Sequence, residues 1–309
     1  MILAAVLVFA LAAPAAAHNV DNNDAASFAD QRGLVRVDYA NDFFTGSDRY
    51  YTEGVGVELF HPALKKSPLM RALVALPGGS KSYGLSLRDS TFTPSRVGER
   101  TAIVDDRPWA GYVFLGHVLV SKDAQAGLTL TSELDAGAIG PAAGGEEQVK
   151  IHARLGMDVP RGWDNQIRNN PILDYYARLE KTVRAWNWGD FGVFGDATAG
   201  TLYDNASAGM GARLGRVDEK RKDRFFAFAR GEEKAVGYDA TLQGGLFNRP
   251  ASYYTTPDDQ INRFVYRWDV GLALDFDSFV LEVTRSAVGR EFSGAIPHQW
   301  GELTFMKRF

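Results

Sequence analysis

Polar and apolar residues alternate with a period of two along several long stretches of the chain. The clearest stretch is 263–275, where one parity carries Phe264, Tyr266, Trp268, Val270, Leu272 and Leu274. The opposite parity carries Arg267, Asp269 and Asp275. Residues 173–185 repeat the alternation. A period of two predicts β-strands that have one apolar and one polar face.

Applied to the whole chain, this alternation predicts twelve strands. They lie at residues 33–41, 50–61, 81–90, 109–121, 125–139, 172–186, 189–203, 206–216, 223–237, 261–275, 277–287 and 299–309. Many are longer than the five or six residues that are about usual in soluble sandwiches, and they suit the tilted spans of a membrane barrel. An even number of strands places both termini on one side, the periplasm for an exported barrel. We therefore predict an all-β fold, a twelve-stranded antiparallel transmembrane β-barrel.

The connections between these strands alternate between two rims. The outer set is predicted at 42–49, 91–108, 140–171, 204–205, 238–260 and 288–298, and most of these loops are long. The periplasmic turns are short apart from 62–80. Residues 146–155 in the third outer loop read as a short helix, because Glu146 and Lys150 form an i,i+4 pair and acidic residues favour a helix start.

The two ends of the chain carry export signals. Residues 1–17 are an apolar run that ends in alanines, which predicts a signal peptide followed by the barrel domain at 18–309. Beyond Ala17 no run of 18 apolar residues occurs, so a helical membrane protein is excluded. The last strand ends in Phe309, which predicts recognition by the barrel-assembly machinery. These features together predict a multi-pass barrel in the bacterial outer membrane.

Composition excludes several functional classes. The formal charge of −4 provides no basic field, so we expect no nucleic-acid partner. The absence of Cys excludes disulfides, a thiolate zinc site and a cysteine nucleophile. The chain also has no G-x-S-x-G elbow, no H-E-x-x-H and no Walker loop. Any chemistry must therefore come from other polar residues.

Candidate chemistry collects at the outer rim. Strand ends and loop order place Asn41, Asp42, Thr52, Gln148 and His152 near one another there. Gln148 and His152 are four residues apart and share a face of the predicted helix. From the residues alone, two plainer interpretations stay open: Asp42 as a turn residue and His152 as a surface histidine.

Six segments in order resemble the outer-membrane lipid A 3′-O-deacylase family, a family of calcium-dependent barrels. They are Ala40-Asn41-Asp42, residues 48–54 (DRYYTEG), 93–95 (TPS), 106–111 (DRPWAG), 140–148 (GPAAGGEEQ) and 162–167 (GWDNQI). The resemblance implies a twelve-stranded barrel whose active site lies between lumen and lipid, near the outer leaflet.

The resemblance also implies roles for individual residues. His152, Gln148, Asn41 and Thr52 are the implied catalytic residues, with His152 as the general base. Asp42 and Asp158 are the implied calcium ligands. Arg100 is the implied substrate-binding residue. The family has a Lys-Arg pair at this place, whereas this chain has Glu99-Arg100.

The implied function is removal of the 3′-linked acyloxyacyl chain from lipid A, by water that His152 activates with the help of Ca²⁺. The expected partners are lipid A or lipopolysaccharide as substrate and the surrounding outer-membrane lipids. Two alternatives stay open: an esterase of the outer-membrane phospholipase type, and a non-catalytic barrel or porin.

Overall fold

The chain forms a closed barrel of twelve antiparallel strands. A computed structural model describes residues 33–147, 149, 153, 159–217 and 223–309. The strands are β1 (Leu34–Asn41), β2 (Tyr50–Phe60), β3 (Ser80–Thr93), β4 (Ala110–Asp123), β5 (Leu128–Ile139), β6 (Asn170–Trp186), β7 (Gly189–Gly200), β8 (Tyr203–Arg216), β9 (Asp223–Asp239), β10 (Phe264–Phe276), β11 (Phe279–Val288) and β12 (His298–Arg308). Each strand pairs with its sequence neighbour, and β1 closes the barrel against β12 through the register Leu34↔Arg308 to Asn41↔Gly301. The predicted fold is confirmed.

Alternating faces position every side chain of the wall. On β10, Leu272 is 63% exposed on the outside, whereas Arg267 is 7% and Asp269 6% exposed inside. Apolar side chains therefore face the lipid and charged side chains face the lumen, as the period of two predicts. No helix in the described part of the chain is long and apolar enough to span a bilayer.

The lumen is filled in three layers. Its outer end holds a large apolar cluster that includes Tyr112 and Trp300, and its periplasmic end holds a smaller one that includes Phe60 and Met306. Between them lies a layer of buried ion pairs, such as Arg36–Asp38, Arg88–Asp38, Arg36–Glu58, Arg178–Asp196 and Arg267–Asp269. Opposite charges compensate one another here because the site excludes water.

Small corrections to the predicted strands have local causes. β3 extends to Thr93, three residues further than predicted, because β2 contains a bulge at Thr52 that keeps the two strands paired. β5 begins at Leu128, since the Asp123 carboxylate accepts the Gln125 and Ala126 N–H groups and forms a turn. Arg184, which the alternation placed in the lumen, is exposed, because a register shift between Thr182 and Arg184 ends the regular alternation of β6.

The two rims differ in the length of their connections. The outer loops are loop 1 (42–49), loop 2 (94–109), loop 3 (140–169), loop 4 (201–202), loop 5 (240–263) and loop 6 (289–297). Both ends of the described chain lie at the opposite rim, which is periplasmic in an outer-membrane barrel. The predicted signal peptide falls outside the described residues. In the predicted loop 3 helix, the described residues Val149 and Ala153 are helical.

Candidate active site at the outer rim

Loop 1 begins where β1 leaves the wall. Asn41 has extended backbone angles and caps the 3-10 helix Asp42–Thr45: its Oδ1 accepts the Phe43 N–H at 2.8 Å. Its Nδ2 donates one hydrogen bond to the Tyr39 hydroxyl at 2.9 Å, and its second hydrogen has no partner among the described residues. Asn41 therefore orients loop 1 and has a second N–H that could donate a hydrogen bond.

Asp42 is a buried carboxylate, with 1% of its surface exposed. Its Oδ2 accepts the Ser47 hydroxyl at 3.0 Å and the Arg49 N–H at 2.8 Å. Among the described residues no Lys, Arg or His forms an ion pair with it. Burial raises the pKa of Asp42 from 3.8 to about 8, and the nearby negative charge of Asp48 adds to the rise, while the hydrogen bonds from Arg49 and Ser47 and the positive charge of Arg49 oppose it. Asp42 is thus a buried carboxyl group whose charged form is disfavoured, because the effect of burial exceeds that of the Arg49 charge.

Thr52 sits on the bulge of β2, close to the end of β1. Asn41 pairs with Glu53 across the antiparallel β1–β2 ladder, so the next two positions, Asp42 and Thr52, lie beside each other at the outer rim. Thr52 is 3% exposed, and its hydroxyl lies 2.8 Å from the Thr93 hydroxyl. The structure therefore brings Asn41, Asp42 and Thr52 to one place, as the strand order predicted, and adds Thr93.

The motifs of loop 2 hold the rim together. Asp106 accepts both the N–H of Ser95 at 2.9 Å and its hydroxyl at 2.6 Å. Arg107, which is 1% exposed, forms an ion pair with Glu291 of loop 6 and donates to the Thr241 hydroxyl of loop 5 at 2.7 Å. Burial raises the pKa of Glu291 to about 7, although Arg107 opposes the rise. Arg107 therefore ties three outer loops together.

Loop 3 is anchored at both ends on an aromatic platform. Trp109 and Trp163 pack edge to face with ring centroids 5.0 Å apart, and Val149 packs against this cluster. Gly145 and Gly162 approach the rings so closely that a Cβ would lie 2.7 Å from Trp163 and 2.4 Å from Trp109, respectively. Two of the segments that resemble the family, 140–148 and 162–167, therefore provide contacts that fix the position of loop 3. Gln148, His152 and Asp158 lie outside the described residues, between these anchors.

Arg100 lies on the surface of loop 2. Its carbonyl oxygen accepts the Asn165 side-chain N–H at 2.7 Å, which joins loop 2 to loop 3. Its side chain is exposed, whereas Glu99 lies 3.8 Å from Arg96 in an exposed ion pair. The Arg100 guanidinium is therefore accessible at the outer rim, on the same loop that contacts loop 3.

The site opens toward the lipid. Phe43 and Phe44 of loop 1 are 63% and 47% exposed, and Phe44 lies over Gly301 on the lipid-facing side of β12. Thr45 donates to the Gln299 carbonyl at 2.8 Å. Beside Phe44, a groove of ≈780 Å³ runs over the wall between Leu272, Val283 and Arg285. Loop 1 is therefore an edge shared by the site and the membrane.

Sequence reasoning missed Arg285 and Gln299 at this edge. Arg285 occupies a lipid-facing position of β11 and donates to the Gln299 Oε1 at 2.6 Å. The sequence did carry a signal for Arg285. This charged residue lies on the same face of β11 as Leu281 and Val283, which are both apolar. Ser47 left no such signal, since the geometry of loop 1 sets its partner, and the contact of Thr93 follows from the pairing of β2 with β3.

The donors around Asp42 suit a hard cation. They are carboxylate and hydroxyl oxygens, the ligand types that Ca²⁺ prefers. In the part of the chain that the structure describes, no three His, Cys, Asp or Glu side chains cluster as a metal site. Asp42, buried and without an ion pair to a described residue, fits such an ion, and further ligands must come from backbone, hydroxyl or solvent oxygens or from the rest of loop 3.

The family model described as "Outer membrane protein LpxR" matches residues 2–309. The chain belongs to the LpxR family. Membership confirms the resemblance and places the barrel in the outer membrane. The structure of LpxR from Salmonella typhimurium superposes with a TM-score of 0.74 at 20% identity, covering 89% of this chain and 100% of that one. At this identity the LpxR structure supports the fold.

Other barrels are more distant from this LpxR-family chain. The β domain of the Bordetella autotransporter BrkA has a TM-score of 0.48 at 11% identity, covering 91% of this chain and 100% of that one. The translocator domain of NalP from Neisseria meningitidis has a TM-score of 0.42 at 15% identity, covering 90% and 87%. A search of curated protein sequences returned no match.

Proposed function

We propose that this protein is a lipid A 3′-O-deacylase of the outer membrane, which hydrolyses the ester that links the 3′ acyloxyacyl chain to the sugar. Membership of the LpxR family supports the substrate class. The observation that carries the proposal is the buried Asp42, which forms no ion pair with a described residue and lies beside the membrane-facing Phe43 and Phe44. An ester hydrolase of a lipid needs polar catalytic groups at a lipid boundary, and this rim provides that boundary.

His152 is the general base in this proposal. Its neutral imidazole takes a proton from a water molecule as the water oxygen attacks the ester carbonyl carbon. When the tetrahedral intermediate collapses, the C–O bond to the sugar breaks and the proton passes to the departing 3′ oxygen. Gln148, four residues earlier, orients the water or the imidazole. The loop 3 anchors Trp109 and Trp163 support this assignment, because they hold both ends of the segment that carries these residues.

Asn41, Thr52 and Arg100 assist in binding and orientation. The second Nδ2 hydrogen of Asn41 and the hydroxyl of Thr52 can donate to the oxyanion, and such donors are worth roughly 2.7–4 kcal/mol in a transition state. Arg100 is exposed at the rim and binds an anionic group of lipid A. Asp42 and Asp158 would hold Ca²⁺, which when bound would supply positive charge that polarises the ester carbonyl. The oxygen donors around Asp42 support this choice of metal.

The filled lumen argues against a porin. Apolar clusters occupy both ends of the lumen, and ion pairs occupy its middle. A twelve-stranded barrel has little interior to spare once such side chains fill it. Phe309, the proposed contact for the barrel-assembly machinery, is 61% exposed, which suits recognition from outside.

The experiment is mass spectrometry of lipid A after incubation with the purified barrel. We expect the intact protein to release the 3′ acyloxyacyl chain, and His152→Ala to slow release by about 10²–10⁴-fold, the usual contribution of a general base. The matched control is His117→Ala, a half-buried histidine on the lipid-facing side of β4, which should keep full activity. Glycerophospholipid hydrolysis in place of lipid A deacylation would support the phospholipase alternative, and equal activity of both variants would remove His152 from the mechanism.

A further inference from the structure

The long periplasmic connection, residues 61–79, does not extend away from the barrel. It contains the 3-10 helices Pro62–Lys66 and Pro68–Arg71 and then turns upward along the wall. Side chain–backbone hydrogen bonds hold it there, one of them from the Tyr175 hydroxyl to the Ala72 carbonyl at 3.3 Å. The Leu76 N–H donates to the Ser121 hydroxyl at 2.9 Å, the Ser132 hydroxyl to the Val74 carbonyl at 2.8 Å, and the Val74 N–H to the Tyr175 hydroxyl at 2.9 Å. We call residues 61–79 the periplasmic foot.

The foot covers the outside of the barrel. Ser121 and Leu119 share their β4 parity with Leu115, which is 49% exposed to lipid, yet Ser121 is 0% and Leu119 3% exposed. Met70 and Leu73 of the foot pack on Leu119, with the outward-facing Tyr83, Leu134 and Tyr175 around them. The foot therefore occupies a strip of wall, near the periplasmic ends of β4 and β5, that lipid would otherwise contact.

The uncovered side of the foot is both apolar and basic. Leu69 is 46% and Val74 50% exposed. Lys65, Lys66 and Arg71 are exposed as well, and residues 61–79 contain no Asp or Glu, so the foot carries a charge of +3 from two Lys and one Arg. An apolar surface bordered by basic side chains is the pattern of segments that lie in a membrane interface.

We propose that the periplasmic foot lies in the inner leaflet of the outer membrane and binds the headgroups of anionic phospholipids. Leu69 and Val74 enter the acyl boundary, while Lys65, Lys66 and Arg71 contact lipid phosphates. Charge complementarity selects this occupant. The foot carries a charge of +3 and lies against the lipid-facing wall, so its basic side chains are next to the negatively charged phosphates of the membrane. The inference is independent of the enzymatic proposal, since the foot is at the rim opposite Asp42.

The position of the foot can be measured with spin labels, because the chain has no native cysteine. The variants are Leu69→Cys, Val74→Cys and, as an aqueous control, Gln125→Cys in the exposed periplasmic turn 124–127. In phospholipid vesicles we expect the labels at 69 and 74 to be accessible to oxygen and protected from a water-soluble nickel chelate. The label at 125 should be accessible to the nickel chelate and less accessible to oxygen. Equal exposure of all three labels to the nickel chelate would overturn the proposal.

The headgroup preference needs a charge-matched comparison. The test variant is Lys65→Gln/Lys66→Gln, and its control is Arg184→Gln/Lys307→Gln, two exposed basic residues at the periplasmic ends of β6 and β12. The measurement is the affinity of the inserted barrel for spin-labelled phosphatidylglycerol against phosphatidylcholine. We expect the preference to fall about five-fold per charge removed in the foot, from the electrostatic contribution of a basic residue near an anionic surface. Equal losses in the two pairs, or no loss in the foot variant, would contradict specific binding by the foot.

Discussion

Asp38 and Asp42 are four residues apart, yet their surroundings are opposite. Asp38 points into the middle layer of the lumen, where Arg36 lies at 2.7 Å and Arg88 at 2.8 Å from its carboxylate. Asp42 is as deeply buried at the outer rim, but among the described residues it forms no ion pair and accepts hydrogen bonds from a hydroxyl and a backbone N–H. Two cations stabilise the charge of Asp38, whereas burial keeps the Asp42 carboxyl protonated up to about pH 8 unless a bound cation displaces the proton.

The difference separates structural from functional charge in this barrel. A buried ion pair is retained because removing one member leaves the other charge uncompensated. A buried carboxylate without a cation raises the free energy of the folded protein, and such a cost commonly marks a functional site. The comparison therefore points to Asp42, and not to the more numerous charges of the lumen, as the centre of the chemistry.

The largest effects should come from exchanging each aspartate for asparagine. Asp38→Asn should lower the free energy of unfolding by up to about 3–5 kcal/mol, because Arg36 and Arg88 lose a buried partner, although both still pair with Glu58. Deacylation by the folded fraction should be unchanged. Asp42→Asn should abolish deacylation, or raise the calcium needed for half activity, without loss of stability.

The stability part of this comparison has a defined pH dependence. The folded pKa of Asp42 is about 8, above its ordinary value of 3.8, so the cost of burying its charge is absent below pH 4, grows as pH rises, and is complete above pH 8. Urea unfolding at pH 8 in chelator should therefore show Asp42→Asn as stable as the parent protein or more so. A marked destabilisation would mean that Asp42 serves the fold.

Arg107→Ala should loosen the outer rim. It removes the link between loops 2, 5 and 6 and leaves Glu291 buried without its cation. We expect a loss of about 3–5 kcal/mol at pH 8. The loss should be smaller at pH 6, because the pKa of Glu291, already raised to about 7, rises further without Arg107 and the carboxyl becomes neutral. Thermal unfolding and protease cleavage of the outer loops measure this effect.

The control for Arg107 is Arg249→Ala. Arg249 pairs with Asp258 at 2.7 Å, but the two side chains are 34% and 60% exposed. Exposed pairs contribute roughly 0–1 kcal/mol. Equal effects of the two substitutions would mean that the buried Arg107 contacts do not hold the rim.

Trp268→Arg tests the lipid-facing side of the wall. Trp268 alternates with Arg267 on β10, and only Arg267 faces the charged lumen, where it pairs with Asp269 at 2.6 Å. A charge on the lipid side should cost about 2–4 kcal/mol at the midplane and less near an interface. Arg267→Lys, which keeps the lumenal charge, should be milder. Folding yields into vesicles measure both, and equal yields would contradict the assignment of faces.

The barrel could be predicted from sequence because its cause is local. Alternation along each strand, as in Phe264–Phe276, is enforced by the lipid on one side and the charged lumen on the other, so twelve strands and their faces follow from the residues. Arg184 escaped the prediction because a register shift interrupts the alternation of β6. The foot escaped it because its partners, Ser121 and Tyr175, are distant in sequence.

The site was predictable only in part. Strand order brings Asn41, Asp42 and Thr52 together, and the structure does place these three at one end of β1 and β2. Strand order could not indicate that Arg107 holds loops 5 and 6, since Arg107 and its partner Glu291 are 184 residues apart in the sequence. The roles of Gln148, His152 and Asp158 stay predictions.

Calcium binding to the purified barrel, measured by titration calorimetry at several pH values, tests the central claim most directly. Below pH 8 the metal must displace a proton from Asp42, so the affinity of the intact protein should rise by up to about tenfold per pH unit and level off above pH 8. Asp42→Asn should bind much more weakly without this rise, and Asp38→Asn should behave like the intact protein. Equal calcium binding by the intact protein and Asp42→Asn would contradict the account.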